Sequence, residues 1–218
     1  MRTAAETANA LKGRLDKRTE RAGKSSRELI SRLALQLHLV GEGVRDLEDG
    51  AAVEVVLAIE PAFERPGEEA ASIAWCRRLA DMYRGWAERR RMQISEVPAG
   101  AFGGAGLPYI VVSGFGAERA LGREIGLHVL EFEDDGDQMR ATARVRVAAA
   151  PLEELPKQKL KAALEASLAS AGGGNVVRRY RDGASPLVRD LAAGWRTGRL
   201  DAVLAGDFDL IAVTRQHG

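Results

Sequence analysis

Cysteine appears once in the 218 residues, at Cys76, so the chain cannot close an internal disulfide and has no second thiolate with which to build a metal site. The expected compartment is a reducing cytoplasm. Histidine is almost as scarce: His38, His128 and His217 stand far apart, and no pair has the spacing of metal ligands. No apolar run approaches the roughly 18 residues of a membrane span. The opening residues, MRTAAETANALKGRLDKRTERAGK, lack the apolar core of an export signal. Lysine occurs only at positions 12, 17, 24, 157, 159 and 161, so the basic side chains are mostly arginines. These shortages lead us to expect no metal, no cofactor and no membrane association.

What the chain does have is a core. With 45% hydrophobic and 29% charged residues it reads as folded, and 218 residues suit one to two compact units. The net charge of +1 conceals local clustering. Arg77 and Arg78, then Arg89, Arg90 and Arg91, then Arg178, Arg179 and Arg181 form three basic spots able to pair bidentately with phosphate oxygens.

The hydrophobic periods change along the chain. A capped helix is expected from Ser25 or Ser26, with Leu29, Ile30, Leu33 and Leu37 at helical spacing. Val53, Val55, Leu57 and Ile59 alternate as in a strand. After Pro66 the longest amphipathic helix follows, with Trp75, Leu79, Met82, Tyr83 and Trp86 on one side. Strands are expected at 92–97, 109–113, 127–132 and 141–149, the last two joined by the acidic hairpin EDDGDQ. A short helical turn at 117–121, a helix started at Pro156, short strands at 176–180 and 186–190, and a terminal helical pair opened by aspartates complete the order. The fold class is α+β: a mainly antiparallel or mixed sheet packed by amphipathic helices, preceded by an N-terminal helical arm. The expected organisation is an arm at 1–48, an α+β domain at 49–150, and a linking helix with a strand/helix segment at 151–218 that completes the core.

No nucleotide-binding or hydrolase signature survives inspection. Gly172-Gly173-Gly174 is followed by a strand pattern without the Lys-Ser/Thr of a phosphate loop, and Gly103, Gly104 and Gly106 precede a strand instead of opening a helix. Both clusters read as turns. Cys76 lies mid-helix with no base beside it, and the carboxylates Glu131, Glu133, Asp134, Asp135 and Asp137 read as a solvated hairpin.

Two separated segments nevertheless resemble bacterial class I peptide-chain release factors. The first runs from Val55 through the turn Gly67-Glu68-Glu69-Ala70 and the helix face Leu79, Met82, Tyr83, Ala87, Glu88 and Arg90 to Gly126-Leu127-His128. That tripeptide is similar to the family's G-x-H-R, with Val129 in place of the arginine. In the second, Val188, Asp190, Gly194, Ala202, Val203, Leu204, Gly206 and Asp209 match the family's C-terminal signature, with Phe208 for a leucine.

The resemblance implies a ribosome-related scaffold, and its gaps imply lost chemistry. The Gly-Gly-Gln loop on which the family's peptidyl-tRNA hydrolysis depends occurs nowhere in the sequence. The interval that would hold its domain is only Leu152 to Gly174. The stop-codon tripeptide is replaced by the acidic stretch after His128, and the family's H-T-S triplet by Ala141-Thr142-Ala143. The expectation is a non-enzymatic protein that binds ribosome or structured RNA through Arg77, Arg78, Arg89, Arg90, Arg91, Arg178, Arg179 and Arg181, in translational regulation, rescue or quality control. The alternative is a protein–protein adaptor on the same scaffold without RNA binding. A relict esterase loop at Gly172 to Asn175 is the third reading.

Overall fold

The computed structural model describes residues 34, 37–63, 66–98, 106–151 and 156–209. The chain divides into two units, Met1–Arg45 and Asp46–Gly218. The described part of the first is helical, at residue 34 and from the start of α1 (37–49), where Arg45 Nη1 donates to Glu42 Oε1 at 2.6 Å. The cap expected at Ser25 or Ser26 and the arm before it lie outside the described residues.

In the second unit, strands β1 (Glu54–Pro61), β2 (Gln93–Val97), β3 (Tyr109–Ser113), β4 (Gly126–Asp134), β5 (Asp137–Ala149), β6 (Val176–Arg181), β7 (Leu187–Asp190) and β8 (Arg196–Thr197) form one sheet. Their order is β2-β3-β1-β5-β4-β6-β7-β8. Every pair is antiparallel except β4 with β6, as the expected α+β class with a mainly antiparallel sheet requires. Helices α2 (Glu69–Arg89), α3 (Ala117–Leu121) and α5 (Leu200–Leu204) pack on one side of the sheet, α4 (Lys157–Ser170) on the other. The crossover through α4 is what lets β6 run parallel to β4.

Burial explains why β1 does not show polar alternation at its centre. Val55, Leu57 and Ile59 face α2, while Val56 and Ala58 meet Leu164 and Leu168 of α4 together with Tyr109 and Val111. Both faces of the strand are dry, so Val55 to Ile59 are all buried. α2 buries Trp75, Cys76, Leu79, Met82, Tyr83 and Trp86 and ends where Arg91 turns left-handed at φ 57°. The β4–β5 hairpin closes at Asp135 and Gly136, whose φ values of 49° and 87° are those of a type I′ turn. Gly136 supplies the positive φ without a side-chain clash.

At the C-terminal end, Arg199 and not an aspartate stands at the N-cap of α5, with Asp201 inside its first turn. The reason is register: the helix opens two residues earlier than the pattern suggests. The second terminal helix was expected from Asp207; Asp207 to Asp209 are not helical, and its remainder lies outside the described residues. Those three residues instead clasp α2. Gly206 has φ 98°, and a Cβ on it would stand 2.4 Å from the Trp86 nitrogen. Phe208 packs on the rings of Tyr83 and Trp86. Asp209 accepts from Trp86 Nε1 at 2.8 Å and from Arg90 Nη2.

Candidate nucleic-acid interface

Strand alternation sends the three basic residues of β6 to opposite sides of the sheet. Arg178 goes inward and is 2% exposed. Its Nη1 and Nη2 donate to Glu124 Oε2 and Oε1 at 2.9 and 2.7 Å, and Nε and Nη2 to Asp190 Oδ2 at 3.1 and 2.7 Å. A further Nη1 contact reaches the Tyr180 hydroxyl at 3.4 Å. That uses the full donor fork of a guanidinium. The rings of Trp195 and Phe208 lie 5.1 and 5.3 Å from its central carbon. Arg178 therefore cannot meet phosphate in this fold, which corrects its place among the expected contacts.

His128 belongs to the same interior cluster. Its Nε2 lies 2.9 Å from the Glu124 carbonyl, which can only accept, so the proton sits on Nε2. Nδ1 is left to accept from the Tyr180 hydroxyl at 3.1 Å. Burial, reinforced by the charge of Arg178, pushes the imidazole down to about 3, so it is neutral near pH 7. Burial pushes the Glu124 carboxyl up, against the pull of Arg178, while Tyr83 donates to it at 3.1 Å. The cluster ties β4, β6, β7 and the turn before β4 to α2. It is a structural lock without an opening to solvent.

Arg90 is also interior, its side chain 4% exposed, paired with Asp209 and lying over Trp86 at 5.2 Å. This is the second correction, and its cause is the C-terminal clasp. Arg77, Arg89 and Arg91 are exposed on the α2 layer. Arg78 pairs with Asp182 at 3.1 Å and covers Trp75. Asp81 and Glu88 lie among them, and Arg84 is held by Asp81 and Glu96 at 2.8 and 2.7 Å, so this helix surface is of mixed sign.

Arg179 and Arg181 emerge on the opposite side of the sheet, and there they have company. Arg179 stands opposite Arg189 of β7, and Arg189 opposite Arg196 of β8, so three arginines form one row across three strands. On β5 the same alternation presents Arg140, Arg144 and Arg146 between the inward-facing Ala141, Ala143, Val145 and Val147. α4 covers β1 and the end of β5, leaving β6 to β8 outside its apolar contacts. Across β5, β4, β6, β7 and β8 this side carries seven arginines, of which Arg146 is only 14% exposed and held by Glu60 and the Ala171 carbonyl. Its carboxylates are Glu131, paired with Arg179 at 3.1 Å, Glu133, and Glu60 of β1, paired with Arg146 at 3.0 Å and Arg144 at 3.7 Å. Among the described residues Arg140, Arg189 and Arg196 have no ion-pair partner.

Sequence reading found Arg179 and Arg181 of this surface and missed the other five. Clusters of adjacent arginines drew attention, whereas a sheet face is built from alternate residues on strands far apart in sequence. The legible signal was the period-two series Arg140, Thr142, Arg144, Arg146.

Gly172 to Gly174 join α4 to β6. None has a positive φ; at Gly173 alone the space is tight, since a Cβ would stand 3.3 Å from Gly126 Cα and the Ile125 carbonyl. The β4–β5 connection, where the resemblance would put the stop-codon tripeptide, is the two-residue turn at Asp135 and Gly136. Among the described residues no group of three or more acidic, histidine or cysteine side chains is placed to hold a metal.

No protein-family model matches the sequence, and no curated protein does. A solved structure does: RF2 of Thermus thermophilus, with a TM-score of 0.57 and 19% identity over 84% of this chain and 75% of that one. The fold is release-factor-like. At that identity the likeness speaks for the fold, and the arginine surface stands on its own geometry. No helix among the described residues is long and apolar enough to cross a membrane.

Proposed function

We propose that this release-factor-like protein binds the ribosome or structured RNA and does not hydrolyse peptidyl-tRNA, acting in translational regulation, rescue or quality control. The observation that carries the binding is the arginine excess on one sheet side, where Arg181, Arg189 and Arg196 are exposed and Arg140, Arg144 and Arg179 half-exposed. Such an excess on one surface attracts a polyanion through counterion release even when the whole chain is near neutral. The want of Gly-Gly-Gln and the two-residue hairpin at the codon-reading position support loss of hydrolysis and of stop-codon reading. Co-sedimentation with ribosomes across a salt series tests the binding; protein that stays at the top of the gradient at low salt would end it. Release of nascent peptide from stalled translation complexes by the purified protein would end the non-hydrolytic part.

The exposed acidic residues Glu133 to Asp135 and Asp137 favour a second reading, the protein adaptor, because they repel phosphate. Partners that survive nuclease treatment of the bound fraction, with no ribosome association, would decide for it.

A further inference from the structure

The pattern of the arginines, and not only their number, restricts the polyanion. They fall into two bands: Arg140, Arg144 and Arg146 along β5, and Arg179, Arg181, Arg189 and Arg196 over β6, β7 and β8. Strand β4 runs between them with Leu127 and Glu131 half-exposed and Val129 buried on this side. With neighbouring strands roughly 4.8 Å apart, β5 and β6 are separated by about 10 Å and β5 and β8 by about 19 Å. A single phosphate row follows one line, whereas a duplex offers two rows with a groove between. The carboxylate of Glu131 in the median discourages a single strand from lying along β4.

Among the described residues, stacking chemistry is also missing from this side. Tyr180, Trp195 and Phe132 contribute to the core beneath α2, and Tyr109 is buried under α4. Recognition of single-stranded RNA rests on aromatic platforms for unstacked bases, and duplex RNA is met through phosphates and shape. The basic groups on these strands are all arginine, whose planar fork suits phosphate oxygens.

We propose that the arginine side of the sheet binds the sugar-phosphate backbone of double-stranded RNA, with the two arginine bands contacting opposite strands across a groove. The inference rests on the RNA reading above. Its test is the anisotropy of a labelled 20-base-pair RNA duplex of arbitrary sequence and of each separated strand, titrated at several salt concentrations with wild type and three charge reversals.

The expected result is that the duplex binds at least tenfold more tightly than either strand. Arg189→Glu and Arg140→Glu, one from each band, should each weaken duplex binding about tenfold and lower the salt slope by about one. Arg77→Glu, a reversal of equal size on the α2 layer, should stay within twofold. Equal affinity for duplex and single strand overturns the inference and leaves the RNA reading standing. So does loss on reversing Arg189 with none on reversing Arg140, because one band then suffices. If no labelled RNA binds while wild type co-sediments with ribosomes, the duplex inference falls alone; if neither binds, both fall.

Discussion

The Tyr180 hydroxyl donates to His128 Nδ1 at 3.1 Å while accepting from Arg178, so the imidazole is placed where a second proton would meet a guanidinium charge through one intervening oxygen. The histidine is pushed down to about 3 from an ordinary 6.5. With the folded value depressed, the unfolded chain binds the extra proton first. Stability is fully present above about pH 6.5 and drains as pH falls toward 3, at roughly 1.4 kcal/mol per unit for this one group. Glu124, pushed up by burial, acts in the opposite sense: its contribution is present below its unfolded value and lost as pH rises through its folded one. The histidine part is isolated by difference. In urea unfolding from pH 7 to 4, His128→Gln should be less stable than wild type at pH 7 and should lose less on acidification; parallel curves would refute the buried neutral imidazole.

Arg178 is bound on both sides, by Glu124 and by Asp190, and the pair of carboxylates would be left without a counter-charge if it were removed. Arg178→Ala is expected to cost about 3–5 kcal/mol. Arg178→Lys keeps the charge but loses the fork that reaches both partners, so it should also be clearly destabilised in denaturant unfolding. A lysine variant as stable as wild type would show that charge alone, without the guanidinium geometry, holds the cluster.

Gly206 turns the chain into the clasp at a left-handed φ and in contact with the α2 backbone. Gly206→Ala must bear the backbone strain, on the order of 1–3 kcal/mol, and the overlap with Trp86 besides. The clasp should loosen, read as a changed Trp86 fluorescence and a lower Tm, while duplex RNA binding by the folded fraction persists. Unaltered stability would mean that Phe208 and Asp209 do not hold this segment on α2.

The strands and helices were largely visible in the sequence because each has a local period: α2 in its apolar stripe, β4 and β5 in their alternation, the hairpin in Asp-Gly. What was not visible depended on which faces meet. Arg178 and Arg179 are neighbours with the same local composition, and only the register of β6 against β4 and β7 puts one in the core and the other in solvent. Arg90 looked like part of an exposed triplet until Asp209, more than a hundred residues later, covered it. The arginine side has the same origin: Arg140, Arg179, Arg189 and Arg196 share a surface through sheet order, which no stretch of sequence contains.

The acidic hairpin supplies a last test, because it stands at the end of β4 and β5, beyond the row that holds Arg140, Glu131 and Arg181. If RNA lies on the sheet side, the carboxylates of Asp134, Asp135 and Asp137 oppose it within a Debye length or so. Asparagine keeps the turn, since it accepts the positive φ that Asp135 adopts. Asp134→Asn, Asp135→Asn and Asp137→Asn together should leave Tm nearly unchanged and strengthen duplex RNA binding by roughly threefold at low salt, with the gain fading as salt is raised. The comparison across salt separates repulsion from contact. A gain that vanishes with screening means that the hairpin only repels, whereas weaker duplex binding by the triple variant would mean that those side chains contact the RNA and would overturn the repulsion argument.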